Sequence, residues 1–206
     1  METLTIVLTG GRSTRMGGRH KPALEVGGVS IIDRAVAAAP GRIVVAGSAE
    51  GLTVSGVDIV REDPPFAGPV AGIAGALASF SAGARTILLL AGDMPFLDPG
   101  FLGLLCDSAP AIARDEAARD QYLCAAWPEK TLRKRLIEVG PPDGLPMRRL
   151  YAGATFRMLD APSGSLRDID APADLRDAEE RAVSGAHPPA QHARRAQGTR
   201  RGSSSR

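Results

Sequence analysis

The chain has 206 residues, of which 44% are hydrophobic, and a formal net charge of +2 at pH 7. A chain of this length and composition can bury an apolar core without a structural metal or disulfides, which excludes the small stapled folds. The two cysteines lie in apolar stretches, no basic leader precedes the first apolar run, and every apolar run is shorter than the roughly 18 residues of a membrane-spanning helix. We therefore expect buried free thiols and a cytoplasmic protein with no membrane partner.

The positive charge belongs to the C-terminal end of the chain. Residues 183–206 contain five arginines and no acid, so 20 of the 25 bases and all 23 acids lie in residues 1–182, a net charge of −3. The same end is rich in Gly, Ser, Pro and Gln, a composition that cannot offset its own ordering entropy. We predict one domain at residues 1–182 and a disordered basic tail at 183–206. Five arginines could attract nucleic acid, but a solvated extension is the favoured interpretation, so no nucleic-acid partner is expected.

The first half of the chain alternates predicted strands with predicted helices. Continuous apolar and β-branched runs predict buried strands at residues 4–9, 42–46, 57–60 and 86–91. Helical spacing of apolar residues predicts helices at residues 30–39 and 69–80. This βαβαβ order predicts an α/β fold with a mostly parallel central sheet, helices on its faces and ligands at the carboxyl ends of the strands.

The second half of the chain is less regular. Its patterns predict helices at residues 101–107, 129–139 and 171–182, and strands at 123–127 and 155–159. The last helix has Pro172 in its first turn and Asp170 as its predicted N-cap.

A glycine-rich loop follows the first predicted strand. Residues 8–21 contain four glycines, three arginines and a final lysine. Glycines let backbone N–H groups approach an anion, and the basic side chains supply charge that a polyphosphate needs. The spacing differs from both GxxxxGK[ST] and GxGxxG, so it indicates neither a P-loop nor a dinucleotide-binding loop. We interpret it as a phosphate-handling loop of another kind.

Asp93 comes just after the predicted strand at residues 86–91, where a ligand for Mg²⁺ on a bound nucleotide should lie. The alternative is that Asp93 only caps a turn with Pro95. The metal role is favoured because the glycine loop follows a strand that would be its neighbour in the sheet. Asp168 precedes Asp170 by two residues on an extended backbone, so it could reach the same metal, whereas capping alone would explain Asp170.

A third segment, residues 61–72, joins a strand to a helix through three prolines and two glycines. Its backbone N–H groups could hold an anion or a base edge, and Asp63 offers an acceptor suited to the donors of guanine. A simple loop with solvated acids is the alternative.

Together these segments resemble the molybdenum cofactor guanylyltransferases. The resemblance rests on GGxSxRMGxxxK in the glycine loop, GPxAG in residues 68–72, GDMPF at residues 92–96 and DIDAPADL at residues 168–175, in the family's order. Residues 119–125 also resemble a family segment near the acceptor site. The resemblance implies a three-layer, Rossmann-like nucleotidyltransferase fold that is shared with cytidylyltransferases for molybdopterin and for isoprenoid precursors.

The resemblance also implies an enzyme, its substrates and its site. GTP and the molybdopterin cofactor would be the ligands, Mg²⁺ the metal cofactor, and molybdoenzymes or their chaperones the recipients. The implied catalytic residues are Arg15, Lys21 and Asp93. The implied nucleotide-binding residues are Leu8, Thr9, Gly10, Gly11, Lys21, Asp63 and Asp93. The implied metal ligands are Asp93 and Asp168.

This chain departs from the family pattern at His20, where an acid usually precedes the lysine. With an ordinary pKa near 6.5, His20 is expected to be partly protonated at mildly acid pH, beside the phosphates. Two alternatives stay open. The nucleotide could be CTP or another NTP, or the chain could be a degenerate member that carries nucleotide or cofactor without catalysis.

Overall fold

The structure is a computed structural model, and it describes residues 3–10, 20–61 and 67–184. Its strands are β1 (Thr3–Leu8), β2 (Glu25–Val26), β3 (Val29–Ser30), β4 (Arg42–Ala46), β5 (Asp58–Val60), β6 (Thr86–Ala91), β7 (Ala111–Arg114), β8 (Asp120–Pro128) and β9 (Arg157–Asp160). Its helices are α1 (Ile31–Ala38), α2 (Pro69–Ala78), α3 (Pro99–Asp107), α4 (Glu129–Val139), α5 (Met147–Tyr151) and α6 (Pro172–Val183), with a 3-10 turn at Lys21–Ala23.

The central sheet has seven strands in the order β5-β4-β1-β6-β8-β7-β9. The four strands from β5 to β6 are parallel to one another, β8 is antiparallel to both of its neighbours, and β9 runs parallel to β7. The predicted α/β fold with a mostly parallel sheet is therefore confirmed. Because β1 and β6 are direct neighbours, the loops that follow them leave the same edge of the sheet.

Alternation of side chains along the central strands supplies two apolar layers. On one face, Val7 and Val45 pack with α1 and α3, and on the other face Ile6 and Val44 pack with α2, α4 and α5. Burial of both faces explains why these strands are continuous apolar runs. The sheet and its two helical layers make the three-layer architecture that the resemblance implied.

An aromatic cluster lies on the second face. Trp127 donates from Nε1 to the Tyr151 hydroxyl at 3.1 Å, and Phe156 packs edge-on against the Trp127 ring. The Tyr151 hydroxyl in turn donates to the Tyr122 carbonyl oxygen at 2.7 Å, so the polar ends of both buried rings are satisfied.

A smaller apolar cluster fastens the last helix to the edge where the strands end. It joins Val26 of β2, Phe96 after β6, Ile169, and Ala178 of α6. The Arg181 guanidinium also lies 4.2 Å above the Phe96 ring and donates to the Gly164 carbonyl oxygen. Residues 161–170 are thereby held over the end of β6.

The predicted helices and strands are present, most with bounds shifted by one to three residues. The chain also forms β7, α5 and the short hairpin of β2 and β3, which were not predicted. Helix α6 ends at Val183, next to the predicted boundary at 182, and the predicted tail lies outside the described residues from 185 onward. No helix in the described ranges is both long and apolar enough to cross a lipid bilayer.

Gly41 sets the tight connection that places β4 beside β1. Its φ is +74°, and a Cβ added there would lie 2.1 Å from the Thr3 carbonyl oxygen. Gly153 has a similar φ of +77° but no heavy atom within 4 Å of an added Cβ. A comparison of the two glycines separates the stability cost of left-handed backbone from the cost of steric collision.

We expect Gly153→Ala to lower the free energy of unfolding by about 1 kcal/mol, the cost of left-handed backbone alone. Gly41→Ala should lower it by a further ~1–3 kcal/mol, because β1 must move away from the new methyl group. Urea unfolding of both variants measures the difference. Equal losses would mean that the turn at Gly41 yields without disturbing the sheet.

Candidate functional site

The site lies where β1, β4 and β6 end. Thr9, just after β1, is 3% exposed, donates from its backbone N to the Ala46 carbonyl oxygen at 3.0 Å, and donates from Oγ1 to the Ser48 carbonyl oxygen at 2.7 Å. On the other side, Gly92 N donates to the Leu8 carbonyl oxygen at 2.9 Å. These bonds hold the exits of three strands together.

Gly92 permits one close approach between these strand exits. A Cβ added there would lie 2.8 Å from Thr9 Cγ2 and 3.2 Å from the Leu8 carbonyl oxygen. Only glycine fits between β1 and the turn that carries Asp93. The GDMPF segment therefore has a packing reason for its glycine, and Asp93 follows directly.

Residues 168–170 run alongside that turn. Ile169 N donates to the Asp93 carbonyl oxygen at 3.3 Å, and the Ile169 side chain is buried in the small apolar cluster. Because side chains alternate on extended backbone, the neighbours Asp168 and Asp170 face away from that cluster. Carboxylate oxygens of Asp93, Asp168 and Asp170 lie within 4.8 Å of one another.

The grouping changes the ionisation of these carboxyls. Burial, and then the negative charge of Asp168, raises the pKa of Asp93 to about 6, while Lys21 opposes the rise. Burial, followed by the charge of Asp170, also raises the pKa of Asp168. A divalent cation bound between these carboxylates would offset their mutual repulsion, and Mg²⁺ prefers oxygen ligands.

Lys21 reaches the same cluster from the 3-10 turn. Its Nζ forms an ion pair with Asp170 Oδ1, and its side chain is 16% exposed. The structure thus brings together Lys21, Asp93 and Asp168, which the sequence predicted for the site. It also adds Asp170, which the sequence analysis missed, although the same two-residue alternation that selected Asp168 applies to it.

The prediction that Asp170 caps the last helix is wrong. The N-cap residue of α6 is Ala171, and the helix start is closed by Asp174, whose Oδ2 accepts from Asp170 N at 3.0 Å and from Ala171 N. Since Asp174 supplies the cap, the Asp170 side chain is available to Lys21. Pro172 occupies the first turn as predicted.

His20 also differs from its prediction. Burial lowers the pKa of His20 below 6.5, and the charge of Glu50 and a hydrogen bond with the Ser48 backbone offset this in part. Its Nε2 is buried and has no hydrogen-bond partner among the described residues. Protonation therefore requires a more acidic pH than expected, and the side chain lies toward the end of β4.

The remaining predicted residues divide into two groups. The side chains of Leu8 and Thr9 are buried, and Gly10 is exposed at the loop entrance. The others lie outside the described residues: Gly11, Arg15 and Asp63.

A cavity of about 540 Å³ opens beside the carboxylates. Asp168 and Asp170 line one side of it, and the turn between β7 and β8 lines the other. That turn is held by the Asp115 carboxylate, which accepts from Arg119 N and Gln121 Nε2, both at 2.9 Å. Residues 119–121, which the sequence analysis placed near an acceptor site, line this cavity.

A family model described as the MobA-like NTP transferase domain matches residues 5–158. A molybdenum cofactor guanylyltransferase of Rhodobacter capsulatus is 33% identical over 187 residues, covering 88% of this chain and 97% of that protein. Molybdopterin-guanine dinucleotide biosynthesis protein A from Archaeoglobus fulgidus has a similar structure, with a TM-score of 0.62, 20% identity, and coverage of 88% of this chain and 99% of that one. A Mycobacterium tuberculosis protein solved with manganese gives a TM-score of 0.68 at 21% identity, covering 87% of this chain and 99% of that one.

The raised pKa of Asp93 predicts a stability effect. The pKa of Asp93 is about 6 in the folded protein and ordinarily 3.8, so an ionised Asp93 lowers the free energy of unfolding. This loss of stability is fully present above pH 6 and is absent below about pH 4. Asp93→Asn should therefore raise the free energy of unfolding by about 1–3 kcal/mol at pH 7.5 with a chelator present, and by about half as much at pH 5.

Urea unfolding at the two pH values measures this effect. Asp143→Asn, at an exposed carboxylate, is the matched control and should show no such gain. A lower free energy of unfolding in Asp93→Asn, or an equal increase at both pH values, would contradict the conclusion that the ionised Asp93 carboxylate destabilises the fold.

Proposed function

Because the chain belongs to the MobA-like NTP transferase family, and is thus an enzyme of the nucleotidyltransferase class, we propose that it transfers GMP from GTP to the terminal phosphate of molybdenum-molybdopterin. The products would be the molybdopterin guanine dinucleotide cofactor and pyrophosphate. The observation that carries the proposal is the meeting of Lys21 with three carboxylates at the adjoining ends of β1 and β6. The choice of guanine draws on the Rhodobacter capsulatus relative.

The carboxylates fit a divalent cation. Asp93, Asp168 and Asp170 supply only oxygen donors, and the burial of Asp93 among like charges favours a bound cation over three free carboxylates. Mg²⁺ held there would supply positive charge to the phosphates of the nucleotide. The structural relative solved with manganese is consistent with a site for a divalent ion in this fold.

The chemistry requires no general base. A terminal phosphate oxygen of the acceptor attacks the α-phosphorus of GTP, the bond from that phosphorus to the bridging oxygen breaks, and pyrophosphate leaves with the electron pair. A phosphate nucleophile is already deprotonated at neutral pH, which agrees with a site whose described residues are a lysine and carboxylates. Lys21, together with Arg15 from the glycine loop, would offset charge on the α-phosphate and on the leaving pyrophosphate.

The cavity beside Asp168 is the proposed position of the acceptor. It is lined by Arg119 and Arg167 and by five acidic residues, of which Asp168 and Asp170 belong to the group of three carboxylates. A polar lining of this kind suits a polar acceptor whose phosphate would be held by a cation at the carboxylates. Leu8, Thr9, Gly10, Gly11 and Asp63 are the proposed contacts of the nucleotide.

Pyrophosphate release tests the proposal directly. Wild-type protein with Mg²⁺ and molybdenum-molybdopterin should release pyrophosphate from GTP at least tenfold faster than from CTP, ATP or UTP. Asp93→Asn should lower kcat at least about 100-fold while circular dichroism stays unchanged, because the cation loses its most buried ligand. A preference for CTP would make the enzyme a cytidylyltransferase, and nucleotide binding without release would make it a carrier.

Lys21 should contribute to the transition state through its placed charge. We expect Lys21→Ala to lower kcat/KM for GTP about 100-fold, and Lys21→Arg to restore it only in part, since a planar fork does not place charge as an ammonium does. Steady-state kinetics with Lys130→Ala, an exposed lysine of α4, as control measures the effect. Equal activity of the Lys21→Arg variant and wild type would mean that bulk charge alone matters.

A further inference from the structure

The ion pair between Lys21 and Asp170 joins two residues that are 149 positions apart in the chain. Lys21 is 16% exposed, whereas the Asp170 side chain is 50% exposed. Lys21 is the residue proposed to contact phosphates, and Asp170 belongs to the carboxylates proposed to hold the cation. Two groups proposed to bind different ligands are therefore bound to each other in this structure.

The backbone holds both partners in place. Lys21 begins the 3-10 turn, where Leu24 N donates to the Lys21 carbonyl oxygen at 3.0 Å and Pro22 is buried. Asp170 follows the buried Ile169, and its own N–H donates to Asp174. Because neither backbone needs to move, the pair can open by rotation of side chains alone.

The charges of the site explain why Lys21 pairs with Asp170. Three carboxylates within 4.8 Å repel one another, and Lys21 forms an ion pair with one of them. A divalent ion at the carboxylates would take over this neutralisation. Asp170 would then be released from Lys21, and Lys21 would be free for the phosphates.

We propose that the Lys21–Asp170 ion pair is a latch across the site, which opens when a divalent cation takes Asp170 and a polyphosphate takes Lys21. The inference rests on the proposed function. Asp170 is thus a positioning residue for Lys21 before nucleotide binds. The latch makes polyphosphate binding without metal weak, because the pair must be broken, and it links cation and nucleotide binding beyond their direct attraction.

The test measures binding of inorganic tripolyphosphate by calorimetry in the presence of EDTA. Breaking the latch by Asp170→Asn should tighten binding about fivefold, the upper range for a partly exposed ion pair. Asp168→Asn is the matched control, because it removes the same charge from the same cluster but leaves Lys21 paired. It should tighten binding by less than twofold.

A double variant isolates the contact itself. In a Lys21→Ala background, Asp170→Asn should leave tripolyphosphate affinity unchanged within about 1.5-fold, since no latch remains to be opened. Thermal melts confirm that each variant is folded. Equal tightening by the two aspartate variants, persistence of the gain without Lys21, or failure of every variant to bind tripolyphosphate would overturn the latch.

The two proposals fail separately. Tripolyphosphate carries no base and needs no acceptor, so its binding does not depend on whether GTP is the substrate. If the single and double variants show the expected tripolyphosphate affinities but the protein releases no pyrophosphate from GTP, the latch is supported and the proposed reaction is contradicted.

Discussion

The ladder of hydrogen bonds between β1 and β6 continues one residue beyond β6, where Gly92 N donates to the carbonyl oxygen of Leu8, the last residue of β1. At this point a side chain on residue 92 would collide with Thr9. Thr9, which follows β1, and the turn at Asp93 are therefore held at one distance by main-chain geometry. They meet there because two parallel neighbours must end at the same edge of a sheet.

The carboxylates depend on a second constraint, which comes from the last helix. Ile169 is buried with Phe96 and Ala178, and this small cluster lies apart from the two large apolar layers of the sheet. Asp168 and Asp170 take their positions from that anchor. Stability of α6 and geometry of the site are thus coupled, although α6 contributes no side chain to the group of three carboxylates.

Much of this arrangement could be predicted from the sequence. Buried parallel strands read as continuous apolar runs, so β1, β4 and β6 were found, and with them the edge at which Asp93 lies. Strand β7 was missed because Ala111–Arg114 is short and small in side-chain volume, and it gains its identity only by pairing with β8 and β9. The local sequence pattern of a strand does not show which other strands will pair with it.

The error at Asp170 has a local and a distant cause. Asp174 accepts from N–H groups three and four residues before it, a local spacing that a capping box makes recognisable in a sequence. The partner of Asp170, Lys21, lies 149 positions away, and no local spacing indicates it. His20 was misjudged for a related reason: burial lowers its pKa, and Glu50 and the Ser48 backbone, which offset this only in part, lie in another part of the chain.

The buried aromatic cluster has a practical consequence for anyone who follows this protein by optical spectroscopy. The chain contains one tryptophan, Trp127, which pairs across the sheet with Ile87, six residues before Asp93 and roughly 20 Å away along the strand. Intrinsic fluorescence excited at the indole will therefore respond when the sheet comes apart and stay silent when the carboxylate cluster fills. Unfolding and occupancy can be recorded as independent signals, provided that a second reporter dye is attached near residues 161–170.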